Sequence, residues 1–174
     1  EKFKSDFLMF SKNQKVSVSK GNACYVVTIC NKPLVGFFNS LGIPIGSKIS
    51  KDFAVPDWIY HGSDSLKTNF LATIYGNEGS KPFNNKWRIQ FVLSKEKDHV
   101  PSLLQFLTQT RAMLFHFGIS TSYIQLRKQK GRAFSGRFYI SGRENVALFY
   151  KKIGFLYASE KQEALELLIS KLNP

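Results

Sequence analysis

Cysteine is scarce in this 174-residue chain, which has only two. Cys24 and Cys30 stand six positions apart in a strand-like stretch with no third or fourth partner, which excludes a cysteine metal site. Both are expected as packed thiols in a reducing intracellular compartment, cytoplasmic or organellar. Histidine is nearly as rare. His61, His99 and His116 have no ligand spacing, and His116, inside "MLFHFG", is expected at the core or its rim. No apolar run reaches the length of a membrane span and no basic amphipathic helix is present, so a membrane is not expected as partner. No signal or transit peptide is visible, and the opening "EKFKSDF" reads like an interior cut. Acids are the most telling shortage. Twelve Asp and Glu face 25 Lys and Arg, a net charge of +13. No single run holds this excess, which points to a polyanion, with nucleic acid the default partner. The chain is 43% hydrophobic, enough for one good core or two small ones sharing an interface, and too rich in Phe, Leu and Ile to be disordered.

Strands and helices alternate along the chain without a low-complexity linker. Residues 3–11 read as the tail of a helix, and "KVSVSK" with "ACYVVTI" as a hairpin turning at Gly21 and Asn22. "NKPLVGFFNSLGI" reads as a helix with Asn31 as N-cap, Pro33 in the first turn and Gly42 at its end. The Gly- and Pro-containing stretch 44–64 is mostly loop. A helix follows from Leu66 to Asn77, then the strand "WRIQFVLS", a long buried helix over 100–117 stopped by Gly118, and a second hairpin in "TSYIQLRKQ" and "AFSGRFYISG". "ENVALFYKKIGF" and "EKQEALELLISKL" close the chain as helices. Aligning Gly42 with Gly154 reveals a repeat at an offset of about 112 residues, by the usual test for internal self-similarity. Phe37 and Phe38 fall on Phe149 and Tyr150, Leu41 on Ile153, and Lys48 one position short of Lys161. The repeat divides the chain into residues 1–64, the back part of a first copy, and residues 65–174, a complete second one.

One acid stands in an unusual place. In "NFLATIYGNEGSKPF", Glu78 ends an apolar helix against Gly79 and Pro82. "FLATIYGNEGS" resembles the signature helix of the LAGLIDADG homing endonucleases. "LGIPIGSK" followed by "VPDWI", and "GRFYISGRENVALFYKKIGF" followed by "EKQEAL", resemble the same family in the same order, so the likeness spans nearly the whole chain. It departs at Gly76, which replaces the motif's usual first acid, and at Tyr75 and Thr73, which are bulky for close helix contact. A first signature helix is missing.

The resemblance implies an α+β LAGLIDADG fold, αββαββα repeats with an antiparallel, saddle-shaped sheet, one full repeat and part of another. It implies sequence-specific double-strand DNA cleavage with Mg2+, Glu78 and the Asn77 carbonyl binding the metal. A second chain or a missing first half would supply the twin acid, and the gene would be carried by an intron or an intein. Hydrolysing a phosphodiester calls for a hard cation, for which a carboxylate is the natural ligand. Gly79 lets that carboxylate approach a DNA backbone closely, while Ala72 and Gly76 form a small-residue stripe for packing on a sister helix. Lys48 and Lys161, at matching turns, either stabilise charge on the phosphorus in catalysis or are ordinary surface lysines.

Strand alternation identifies the surface that would read DNA. Ile124 and Leu126 point to one side, and Tyr123, Gln125, Arg127 and Gln129 to the other. Trp87, Ile89, Phe91 and Leu93 go inward while Lys86, Arg88, Gln90 and Ser94 face out, and Arg132 and Arg137 extend the polar face. Arg and Gln are the residues that pair bidentately with guanine and adenine edges. The alternative is a non-cleaving module of the same fold, an intron RNA maturase or an inactive relic that binds nucleic acid.

Overall fold

A computed structural model describes residues 2–9, 16–21, 25–82, 86–131 and 133–172. Cys24, Asn22 and Arg132 lie outside them. The chain divides into two compact units, Glu1–Leu41 and Gly42–Pro174.

The first unit contains α1 (Lys2–Leu8), an antiparallel hairpin of β1 (Val16–Lys20) and β2 (Tyr25–Ile29), and α2 (Lys32–Ser40). Asn31 caps α2, its side-chain oxygen accepting from the Leu34 N–H at 2.9 Å, and Pro33 occupies the first turn, where no N–H is needed. Cys30 is exposed rather than packed, because it falls in the short connection between β2 and that cap. No residue of α2 is buried, and Phe37 is 48% exposed.

The second unit holds α3 (Asp57–Tyr60), α4 (Asp64–Glu78), β3 (Arg88–Glu96), α5 (Val100–His116), β4 (Gln125–Lys128), β5 (Ala133–Ser141), α6 (Arg143–Lys152) and α7 (Ser159–Ile169). The three strands form an antiparallel sheet in the order β3-β5-β4. A further short pairing sets Gly79 opposite Phe91, with the Ser80 N–H donating to the Gln90 carbonyl at 2.8 Å, so the chain leaving α4 runs directly onto the sheet edge. One face of the sheet is largely apolar and is covered over β3 and β5. Ile89, Phe91, Phe138 and Ile140 pack there against Leu71 and Tyr75 of α4, Leu103, Leu107 and Leu114 of α5, and Phe149 of α6, all with no exposed surface.

Tyr75 corrects one sequence expectation. It does not crowd a helix partner but points inward, its ring 4.9 Å from those of Phe91 and Phe149. Its hydroxyl is buried without a hydrogen-bond partner, and burial raises its pKa well above 10.0. An orphan buried hydroxyl is a net cost. Tyr75→Phe is therefore expected to stabilise the protein by about 1 kcal/mol, a rise in Tm of about 2 to 4 °C; calorimetry showing a fall would contradict this.

Two histidine–aspartate pairs join helices and loops of this unit. Asp64, at the start of α4, meets His116 at the end of α5 at 2.7 Å, which puts His116 at the rim. Asp52 meets His99 at 2.9 Å. In each pair the histidine hydrogen bond is the main reason the carboxyl lies below its ordinary value of 3.8. A folded value below the unfolded one gives stability that is complete above pH 3.8 and disappears as pH falls through the lowered value. Asp64→Asn is expected to flatten the acid side of the stability curve, and melting curves across that range will test it.

Candidate functional site

The foot of α4 is built by its C-terminal geometry. Glu78 is the last helical residue, and the Gly79 N–H bonds to the Tyr75 carbonyl at 3.0 Å, closing the turn. The carbonyls of Gly76 and Asn77 are left without intrahelical partners, and the helix dipole makes this end negative. Two ammonium groups come to it. Lys161, in the first turn of α7, donates to the Gly76 carbonyl at 2.6 Å and to the Asn77 carbonyl at 3.3 Å. Lys48, from the helical turn Lys48–Ser50, donates to Glu78 Oε1. Partial burial holds the Lys161 pKa below its ordinary value, against the attraction of the Glu78 charge. The two lysines thus converge on one helix end, Lys48 on its acid and Lys161 on its carbonyls. Gly42 and Gly154 both have a left-handed backbone, with φ of +94° and +71°.

The small-residue stripe has a different use from the expected one. Ala72 and Gly76 face residues 154–158 of the same chain rather than a sister helix. The Leu156 N–H donates to the Ala72 carbonyl at 3.0 Å, and a Cβ on Gly76 would sit 2.0 Å from the Leu156 carbonyl oxygen. No side chain fits at 76, which accounts for the missing acid of the motif. The face of α4 left uncovered carries Leu66, Asn69, Thr73 and Asn77 instead.

Does the donor set suit a divalent metal? Its atoms are all oxygens, one carboxylate and helix-end carbonyls, and two cationic side chains already lie against them. That chemistry fits a hard cation completed by water and phosphate oxygens, as Mg2+ is commonly held. Among the described residues no cluster of three or more Asp, Glu, His or Cys side chains exists.

The other face of the sheet is polar. Register sets Arg88 opposite Ser141, Gln90 opposite Tyr139, and Arg137 between Val92 and Gln125, while Arg127 lies opposite Ser135. Arg88, Gln90, Gln125, Arg127 and Arg137 therefore share one surface. The guanidinium of Arg88 lies 5.1 Å from the centre of the Tyr139 ring, and the Nε of Arg137 is buried without a partner. Gln129 is tied to this face through Ser135 Oγ at 2.7 Å, and Tyr123 is 87% exposed beside it. Lys86 is exposed in the bend before β3, not in the strand. Leu126 lies on the side opposite Gln125 and Arg127, as alternation puts it, and all four residues of β4 are exposed on this edge strand. Tyr139 escaped the sequence reading although alternation with Arg137 and Ser141 marks it.

This architecture is shared with the homing endonuclease I-DmoI, whose structure in complex with DNA and Ca matches 94% of the chain and 73% of its own with a TM-score of 0.57 at 17% identity. The chain has the LAGLIDADG homing-endonuclease fold. No known family profile matches it. Its sequence relatives are of unlike activity: the tRNA-splicing ligase RtcB of Methanocaldococcus jannaschii is 30% identical over 139 residues, 78% of the chain but 14% of the ligase. The replication factor C small subunit of the same organism is 26% identical over 149 residues, 81% of the chain and 8% of the subunit. Its glutamine–fructose-6-phosphate aminotransferase is 24% identical over 165 residues, 92% of the chain and 14% of the enzyme. The chain thus spans a small fraction of the curated relatives it matches.

Proposed function

We propose that these residues form a Mg2+-dependent, sequence-specific DNA endonuclease module carried in frame inside host proteins. The observation that carries the cleavage reading is the convergence on the foot of α4 of Lys48, bonded to Glu78, and Lys161, bonded to the Gly76 and Asn77 carbonyls. Bound there, a divalent cation would supply an activated water and neutralise charge on the phosphate. The protein's own part is to hold Glu78 at the helix end, to keep two ammonium groups within reach of the developing negative charge, and to align the duplex against Arg88, Gln90, Gln125, Arg127 and Arg137. Embedding in a host is supported by the relatives. A ligase, a replication factor and an aminotransferase share no chemistry, yet each contains one stretch like most of this chain, and that stretch is a small part of each. This favours an intein over an intron, since the shared stretch belongs to the relatives' own polypeptides.

Cutting both strands calls for a second carboxylate. We assign it to an upstream segment or a second copy, seated on the open face of α4 at Thr73 and Asn77.

The test is a supercoiled plasmid carrying the host coding sequence joined across this module. The chain with Mg2+ is expected to nick or linearise it at the junction, and affinity for the junction duplex should fall steeply with salt as phosphate contacts are lost. Binding without any cutting, or tighter binding to the matching RNA, would favour the non-cleaving alternative.

A further inference from the structure

Lys95 stands on the wrong side of its strand. Alternation along β3 puts it with Ile89, Phe91 and Leu93 on the covered face, and only 1% of it is exposed. A buried ammonium is costly unless its donors are used. Here Nζ donates to the Lys48 carbonyl at 3.1 Å and to the Lys51 carbonyl, and lies 3.7 Å from the centre of the Phe53 ring. The segment it holds is strapped down further along. His99 meets Asp52, Ser102 Oγ both donates to and accepts from the Phe53 backbone at 3.2 Å, and Gln109 accepts from the Val55 N–H at 3.0 Å. Among these strap residues, only Lys95 bonds the backbone of Lys48 itself.

We propose that Lys95 is a positioning residue: its buried ammonium, bonded to the carbonyls of Lys48 and Lys51, fixes the point from which Lys48 reaches Glu78. This rests on the reading of Glu78 as the reacting centre. A lysine suits the task because one compact head with several donors serves two carbonyls and a ring at once. The segment it anchors is otherwise a loop with a single helical turn, so without that anchor the Lys48 side chain would lose its registration on the acid.

A double-mutant cycle of Lys95→Met and Lys48→Met tests this, read by single-turnover cleavage and by equilibrium affinity for the same duplex. Lys95→Met is expected to slow cleavage about ten- to a hundredfold, as small misplacements do, with affinity unchanged within about twofold and no further slowing in the Lys48→Met background. Equal slowing in both backgrounds, or a loss of affinity matching the loss of rate, overturns the proposal. Hydrogen exchange reads the same point without cleavage: Lys95→Met should speed exchange at amides 48–51 and leave α4 unaltered. A wild-type chain that does not cut defeats the nuclease reading and leaves this exchange to decide; unchanged exchange at 48–51 overturns the role of Lys95. Where Lys95→Met does not fold, Lys95→Gln, which keeps a donor, takes its place in both measurements.

Discussion

Glu78→Gln is expected to abolish DNA cleavage while leaving target binding intact. The substitution preserves the shape of the side chain and removes the one anionic oxygen at the foot of α4. A metal's stabilisation of the transition state amounts to several kcal/mol, and each 1.36 kcal/mol is tenfold in rate, so the loss should reach about a thousandfold or more. Binding should survive because, on the proposed reading, the duplex lies against the polar face of the sheet rather than the acid, and removing a negative charge slightly favours a polyanion. The ion pair with Lys48 will contribute little to folding, since both side chains are partly exposed and such pairs contribute about 0 to 1 kcal/mol. The Tm of Glu78→Gln should therefore be close to that of the wild type. Cleavage at an undiminished rate would remove Glu78 from the chemistry altogether.

Gly76→Ala should produce the largest loss of stability. The added methyl would meet the Leu156 carbonyl oxygen at 2.0 Å, a distance no pair of atoms tolerates, and backbone on both sides leaves no flexible side chain to move aside. Overpacking a tight contact costs about 1 to 3 kcal/mol. Forcing residues 154–158 off the helix would also break the bond from the Leu156 N–H to the Ala72 carbonyl, for about 1 kcal/mol more. The total, about 2 to 4 kcal/mol, corresponds to a fall in Tm of about 5 to 15 °C. Thermal unfolding measures it directly, and a Tm within about 2 °C of the wild type would show that the segment yields freely. Because the same carbonyl of Gly76 accepts from Lys161, the substitution should also disturb the site from its far side.

Much of this architecture was legible because local signals and global packing agree. Gly79 after Glu78 marks the end of α4, Asn31 and Pro33 mark the start of α2, and the apolar alternation of β3 and β5 matches their buried face. Aligning Gly42 with Gly154 sets Lys48 and Lys161 at similar turns, and both reach the foot of α4. What stayed hidden depends on contacts far apart in the chain. Helical spacing reveals that Ala72 and Gly76 share a face but not that residues 154–158 cover it. Strand alternation, carried one step beyond Leu93, does put residue 95 inside. A lysine there looks like the end of the strand until the carbonyls of a loop some distance upstream are seen to receive it. For Leu126 alternation gave the side of the strand but not its exposure, which depends on whether another layer lies against an edge strand.

The exposure of β4 has a consequence for how such a protein changes over generations. Gln125 and Arg127 are attached to a strand whose side chains support nothing beneath them, so substitutions there should cost almost no stability. Glu78, by contrast, hangs from a helix whose neighbouring residues are packed without clearance. On the proposed reading, recognition would change one side chain at a time while the foot of α4 stays fixed by its packing, a division of labour suited to a nuclease whose targets change.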